Sequence, residues 1–318
     1  MINKVIEILN NSLIDVYSFV STNEYIKERS KLNKFDAFSD YKLLDQYQTI
    51  ITLGISYPSI PSKYSGIGHG ILSRYAYGTD YHKVFKEILD IISSQLIDLG
   101  INNYPSVDTG FIDERFAASL SKLGYLGKNQ FLINKEYGSY IYLATLLVDV
   151  DIKKEVNIVD DCGDCTKCID ACPSGALDNG FEQSKCISFT SQSKKELNLE
   201  EISYFKTMVY GCDICQVVCP KNKGIDFHNH SEFEPSGIEN INLKELFSMT
   251  NKEYQSIYGN NASSWKGPLI IKRNALGIIL NQNLDSFVSD IEESVVKYKD
   301  TKWYKNTALM VLEKLRKE

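Results

Sequence analysis

Apolar residues recur at Val5, Ile6, Leu9, Leu13 and Val16, a spacing that predicts one helix across residues 1–20. Residues 24–46 are polar and show no clear period. The run TIITLGISY (49–57) is rich in β-branched residues and stops at Pro58, which predicts a buried strand. A Ser/Gly/Pro-rich loop follows over 58–70. YHKVFKEILDIISSQLIDLG (81–100) is amphipathic over five turns, and its closing Gly100 fits a helix C-cap. DERFAASLSKLG (113–124) repeats that design in shorter form, again ending in glycine. KNQFLINKEYGSYIYLATLLVDVDI (128–152) predicts two strands joined by a Tyr-Gly-Ser turn, too short for a crossover and so antiparallel. A polar connector over 222–240 leads to PLIIKRNALGIILNQN, LDSFVSDIEESVVKY and TKWYKNTALMVLEKLRKE, three helices with short loops. They suit either a fragment of a HEAT-type repeat or a plain helical cap.

Eight cysteines interrupt this pattern, all between residues 162 and 219. The expectation is an α+β fold in three segments: an α/β domain (1–155), a bacterial ferredoxin-like double-cluster domain (156–225) and a short HEAT-like helical tail (226–318). No apolar run approaches the roughly 20 residues of a membrane helix. The first residues, MINKVIEILNNSL, lack the basic, apolar and small-residue zones of a signal peptide. A cytoplasmic protein with no membrane partner is expected, and a disulfide scaffold is not. The formal charge of −6 argues weakly against nucleic acid. It is uneven, however: Lys252–Glu318 holds 11 basic and 8 acidic residues, net +3, leaving −9 for the remainder.

Cys162-x2-Cys165-x2-Cys168-x3-Cys172-Pro173 is the bacterial ferredoxin run, whose fourth thiolate serves the other cluster. Cys212-x2-Cys215-x3-Cys219-Pro220 is the same run without its first cysteine, with Val209 in that position. Two cubanes need about eight thiolates; the two runs supply seven, and the remaining cysteine is Cys186. The spacing therefore assigns Cys162, Cys165, Cys168 and Cys219 to one [4Fe–4S] cluster. Cys172, Cys186, Cys212 and Cys215 go to the second. Structural zinc takes four ligands and has no use for the two x3-Cys-Pro endings.

Two clusters occupy a small part of this chain. Around them lie SRYAYGTDYHKVF (73–85), VDTGFIDER (107–115), LGYLGKN (123–129), YGSYIYLATLLVD (137–149) and YGCDICQVVCPKN (210–222). Over roughly 50–222, with WKGPLIIKRNALG (265–277) in support, the chain resembles the epoxyqueuosine reductase family of cobalamin-dependent, double-[4Fe–4S] enzymes. The resemblance implies reduction of epoxyqueuosine to queuosine at the tRNA wobble position, with ferredoxin or flavodoxin as electron donor. It implies a corrinoid-binding role for the α/β domain and catalysis by Asp108 as the acid that protonates the opening oxygen. It implies cobalamin contacts from Arg74, Tyr75, Lys128, Asn129, Leu132 and Leu143, and a tail that grips tRNA, where Lys266, Lys272 and Arg273 are candidates for phosphate contact. Read by themselves, those three are solvated helix charges, Asp108 is a turn former, and Glu114 and Arg115 are a helix-start pair. Asp80-Tyr81-His82 starts like the Asp-x-His-x-x-Gly cobalamin motif, but residue 85 is Phe. His82 is therefore read as structural or substrate-adjacent, in keeping with a family that uses no lower histidine ligand. The chain departs from the family pattern in 29–48 and after Cys186. Two other functions fit the residues: a corrinoid iron–sulfur reductase of a small molecule, akin to reductive dehalogenases, or a non-catalytic electron carrier.

Overall fold

A computed structural model describes residues 1–32, 41–108, 110–152 and 160–317. Residues 33–40 of the divergent 29–48 stretch, Thr109 of the VDTG motif and the expected domain boundary near 155 lie outside the described residues. The contacts divide the chain into two interleaved units: Met1–Ser59, Tyr81–Cys165 and Pro220–Ser231 in one, Ile60–Asp80, Thr166–Cys219 and Glu232–Glu318 in the other. This differs from three successive segments because strand pairing draws residues from all three into one sheet of the second unit.

The first unit is built on a four-stranded antiparallel sheet in the order Val16–Ser21, Thr49–Ser56, Ile141–Val148, Asn103–Ser106. Thr49–Ser56 is buried along its whole length, as its continuous β-branched run requires. One face carries Val20, Ile50 and Leu147 against Tyr25, Leu44, Ile112 and Ala117. The expected helix over 1–20 is corrected here: the helix is Ile2–Asn10, and Val16 begins an edge strand. The β-branched and aromatic content of VYSFVS prevails over the weak helical period. The expected pairing within 128–152 also changes. Leu132–Ile133 pairs with Tyr125–Leu126, while Ile141–Val148 pairs with Thr49–Ser56 and Asn103–Ser106. The long apolar strand finds more surface to bury in the sheet centre than in a local hairpin.

Tyr81–Asp98 forms the predicted helix, closed by Gly100 at φ +74, with the Ile101 N–H donating to Leu96 O at 2.9 Å. The next helix, Glu114–Leu120, starts on Asp113, whose side chain accepts from the Phe116 N–H. Its left-handed closing residue is Lys122 (φ +62), where Gly124 was expected. In the second unit Met208–Tyr210, His69–Leu72 and Asn240–Asn242 form a mixed three-stranded sheet. Pro268–Asn281 is buried on nearly every side, with Val288–Lys297 and Lys302–Leu315 packed beyond it. The three tail helices thus occur at their expected places. Among the described residues, no helix is long and apolar enough to cross a membrane.

A buried polar knot fastens the first unit. Asp15 and His230 are 6% and 3% exposed, with Nε2 and Oδ2 3.0 Å apart. The Asn229 side chain and the Ser56 N–H also donate to Asp15, each at 2.6 Å. Burial would raise this carboxyl, but the bonds from His230, Asn229 and Ser56 hold it down at about 2. A folded pKa below the ordinary 3.8 gives stability that is present above pH 3.8 and lost as pH falls through 2. Asp15→Asn should cost about 2 kcal/mol in urea denaturation at neutral pH. The gap from wild type should close between pH 4 and pH 2; a constant gap would refute the linkage.

Candidate active site and cluster ligands

All eight cysteines are partly buried and none is in a disulfide. Within the second unit, Cys168 rides on Lys167–Asp170 and Cys215 on Ile214–Val217, two short helices that lie against each other. Cys186 is the N-cap of Ile187–Gln192. Burial, and then the neighbouring Cys212, Cys186, Cys168 and Cys172, push the Cys215 thiol far up. Burial likewise takes Cys212 up to about 12, with Asp213, Cys186 and Cys172 adding to it. Cys172 and Cys186 are thus near enough to oppose the ionisation of Cys212 and Cys215, the other two thiols assigned to the second cluster. Such a group holds four thiolates only when bound iron supplies the opposing charge, so the donor set fits a cluster. Among the described residues no three His, Cys, Asp or Glu side chains already converge on a single-ion site. A cubane does not need them to, since its thiolates bind at four separate corners.

Asp213, between Cys212 and Cys215, is 2% exposed and accepts from the Ser73 hydroxyl, the Arg74 N–H (3.1 Å) and the Arg74 guanidinium (3.2 Å). Burial raises its pKa against these bonds. Gly211 at φ +76 lets this loop approach Ser73, where a Cβ would come within 2.4 Å of the serine Cβ. Arg74, expected at the cofactor, is thus bonded to the cluster loop, and Tyr75 accepts from Gln192 at 3.0 Å.

In the first unit the Lys128 N–H reaches Cys162 Sγ at 3.4 Å, while its ammonium donates to Gly163 O (2.8 Å) and Cys165 O (3.1 Å). An N–H bond to a ligand sulfur raises a cluster's potential by stabilising the added electron. Asn129 is buried, and its side-chain oxygen accepts from the Phe131 N–H. Leu132 lies in a core cluster with Ala118 and Leu123, and Leu143 packs against it.

Asp108 stands in the left-handed region at φ +57, a strained place for a residue with a Cβ. Its carboxylate lies 3.5 Å from His82 Nε2, the two side chains 59% and 40% exposed, so both can meet a ligand. The bond from His82 holds Asp108 below the ordinary carboxylate range, against the effect of burial and with help from Tyr81. The Tyr81 ring stacks on Tyr142 at 4.5 Å and 7°. His82 is thus tied to Asp108. The exposed Asp108 and His82, beside the Tyr81–Tyr142 stack, would suit a flat conjugated cofactor and could supply acid–base chemistry to it. The sequence missed Glu114, read there as half of a helix-start pair. Its Oε1 accepts from the Asp108 N–H at 2.7 Å, and burial raises it to about 8. The signal was its place six residues after Asp108, at the first turn of a helix.

The tail cations require a correction. Lys272 and Arg273 are fully buried, so neither phosphate contact nor a solvated face describes them. The Lys272 ammonium donates to Phe247 O and Met249 O, each at 3.0 Å. The Arg273 guanidinium donates to Thr190 O, Ser193 O and Lys195 O. Both satisfy carbonyls in and just after the last turns of neighbouring helices, which helical periodicity cannot reveal.

The family described as "4Fe-4S double cluster binding domain" matches residues 161–222, and "Epoxyqueuosine reductase QueG, DUF1730" matches 39–109. An epoxyqueuosine reductase from Bacillus anthracis is 37% identical over 258 residues, 78% of this chain and 68% of the relative. The chain belongs to the epoxyqueuosine reductase family. A crystal structure of epoxyqueuosine reductase with an epoxyqueuosine-modified tRNA-Tyr stem loop superposes with a TM-score of 0.84 at 29% identity, over 99% of this chain and 98% of that one. A Bacillus subtilis epoxyqueuosine reductase, with its aspartate-bearing catalytic loop swung out of the active site, gives 0.82 at 28% identity over 98% of both chains. The chain is thus an oxidoreductase whose family cofactors are two [4Fe–4S] clusters and cobalamin.

Cys186→Ala should lower bound iron after reconstitution from about eight to about four per chain. Retention of all eight would remove Cys186 from the ligand set. Glu114→Ala should speed hydrogen exchange at the Asp108 amide, which loses its acceptor; unchanged exchange would show that the loop is held elsewhere.

Proposed function

We propose that this chain reduces epoxyqueuosine to queuosine in tRNA, in the cytoplasm, with Asp108 delivering a proton to the oxygen released from the epoxide. The carrying observation is the exposed Asp108–His82 pair, on a loop braced by Glu114, in a chain of this family. Converting an epoxide to an alkene removes its oxygen as water and consumes two electrons and two protons. When bound, cobalamin and the clusters supply the electrons one at a time, drawn from a low-potential donor such as ferredoxin or flavodoxin.

The residues supply the rest. An alkoxide is a poor group to leave undelivered of a proton, so an acid at its position lowers the barrier. His82 keeps Asp108 ionised before substrate arrives. Enclosure by substrate strips water from the carboxylate and raises its proton affinity, making it an acceptor from His82 and a donor to the oxygen. The hydrogen bond from the Asp108 N–H to Glu114 fixes the backbone from which that carboxyl is presented. Cys162 and Cys165 are held by Lys128 on the same unit.

Asp108→Asn keeps the shape and removes the transferable proton. It should lower single-turnover reduction of an epoxyqueuosine-bearing stem loop by about 100-fold or more, with iron content and cofactor retention unchanged. Wild-type turnover in the variant would exclude Asp108 as the acid.

A further inference from the structure

We infer that Trp265 is a stacking platform for an unpaired nucleobase of the RNA substrate, with Lys266 as its phosphate partner. The inference rests on the tRNA reading above and adds a contact to it. Trp265 is 63% exposed, a costly state for the largest apolar side chain unless a ligand covers it. It is not loosely held. Its Nε1–H donates to the Tyr210 hydroxyl at 2.9 Å, and Tyr210 is 1% exposed. That hydroxyl in turn lies 3.1 Å from Ala262 O and 3.2 Å from Gln192 Oε1. Gln192 donates onward to Tyr75 at 3.0 Å. An exposed indole is thus anchored through a partly buried chain of hydrogen bonds that ends at Tyr75, next in sequence to the cluster loop's partner Arg74.

The short 3-10 turn Ser264–Lys266 is followed by Gly267 at φ +78 and then by the buried helix from Pro268, which fixes the turn to the core. Lys266 Nζ sits 3.6 Å from the Trp265 ring centroid. Since the ammonium covers one face of the ring, the base is assigned to the opposite face, with the ammonium left to meet the phosphate. With Lys272 and Arg273 buried, two of the tail's eleven basic residues are withdrawn from its surface, and stacking supplies attraction that they do not.

The test uses reconstituted full-length protein and a stem loop carrying 2-aminopurine at unpaired loop positions. Wild type should bind with quenching from at least one position. Trp265→Ala should weaken binding roughly 5- to 100-fold, the range of a lost base stack, and abolish that quenching. KM should rise and kcat at saturating RNA should hold. Trp265→Phe, which keeps a ring, should fall between the two, and Lys266→Gln should reduce the log–log salt slope by about 0.7 while leaving the quenching. If Trp265→Ala loses cluster absorbance, Trp265→Met, with apolar bulk but no ring, carries the comparison. Unchanged affinity and quenching in the ring-less variant would overturn the platform and leave the tRNA reading standing. A wild-type protein that does not bind the stem loop would overturn both.

Discussion

The buried carboxylate of Asp213 is bonded by the Ser73 hydroxyl and by the Arg74 backbone and guanidinium, while its chain neighbours on either side lead to cluster cysteines. A carboxylate this deep costs several kcal/mol to desolvate and persists only where its partners are fixed. Its position therefore constrains two segments at once. The strand His69–Leu72 must run parallel to Met208–Tyr210 so that Ser73 and Arg74 arrive at the loop, and Gly211 must turn left-handed to admit them. Cys212 and Cys215 are delivered as a consequence, and Cys172 and Cys186 meet them within the same unit.

The acid chemistry proposed for Asp108 depends on a second arrangement, between residues 108 and 114. Asp108 and Glu114 share one hydrogen bond yet have opposite tendencies. His82 draws Asp108 towards the ionised form, while burial keeps Glu114 protonated up to about pH 8. Divergent neighbouring carboxyls are how a site keeps one group for structure and another for proton traffic. A protonated Glu114 adds no negative charge next to Asp108, which lowers the cost of holding the Asp108 carboxylate there. The left-handed φ at Asp108 fits this reading, since strain of that kind survives only where neighbours enforce it.

The cysteine spacing was legible because thiolate ligation leaves a local signature: fixed intervals, Pro after the last ligand, and a count that closes only with Cys186. The helix at 81–98 and the strand at 49–56 were legible for the same reason, each being a long run of one period. Val16–Ser21 was hidden by a few apolar residues that happened to continue a helical spacing. The partner of Ile141–Val148 was hidden because strand pairing is settled by burial across the sheet, and the strand it joins is about 90 residues away in sequence. The three-segment division failed to anticipate the interleaving, since no local pattern records that His69–Leu72 pairs with strands near 209 and 241. Glu114 and Asp108 each looked like helix-start or turn residues, and only their mutual bond separates them from that common use.

Burial of Lys272 and Arg273 also changes how an acidic protein meets a polyanion. The formal +3 of Lys252–Glu318 includes both cations, so removing them from the surface leaves 3 − 2 = +1. Burial further pulls Lys272 down to about 8, which weakens even its distant field. Affinity for RNA that came from counterion release alone would need several exposed lysines or arginines on one face. Shape and stacking add a hold that does not scale with salt in that way. Those same two cations tie the helix Pro268–Asn281, which follows the Ser264–Lys266 turn, to the carbonyls at 190–195 and 247–249. The charge the tail withholds from its surface is thereby converted into rigidity at the one exposed indole it presents.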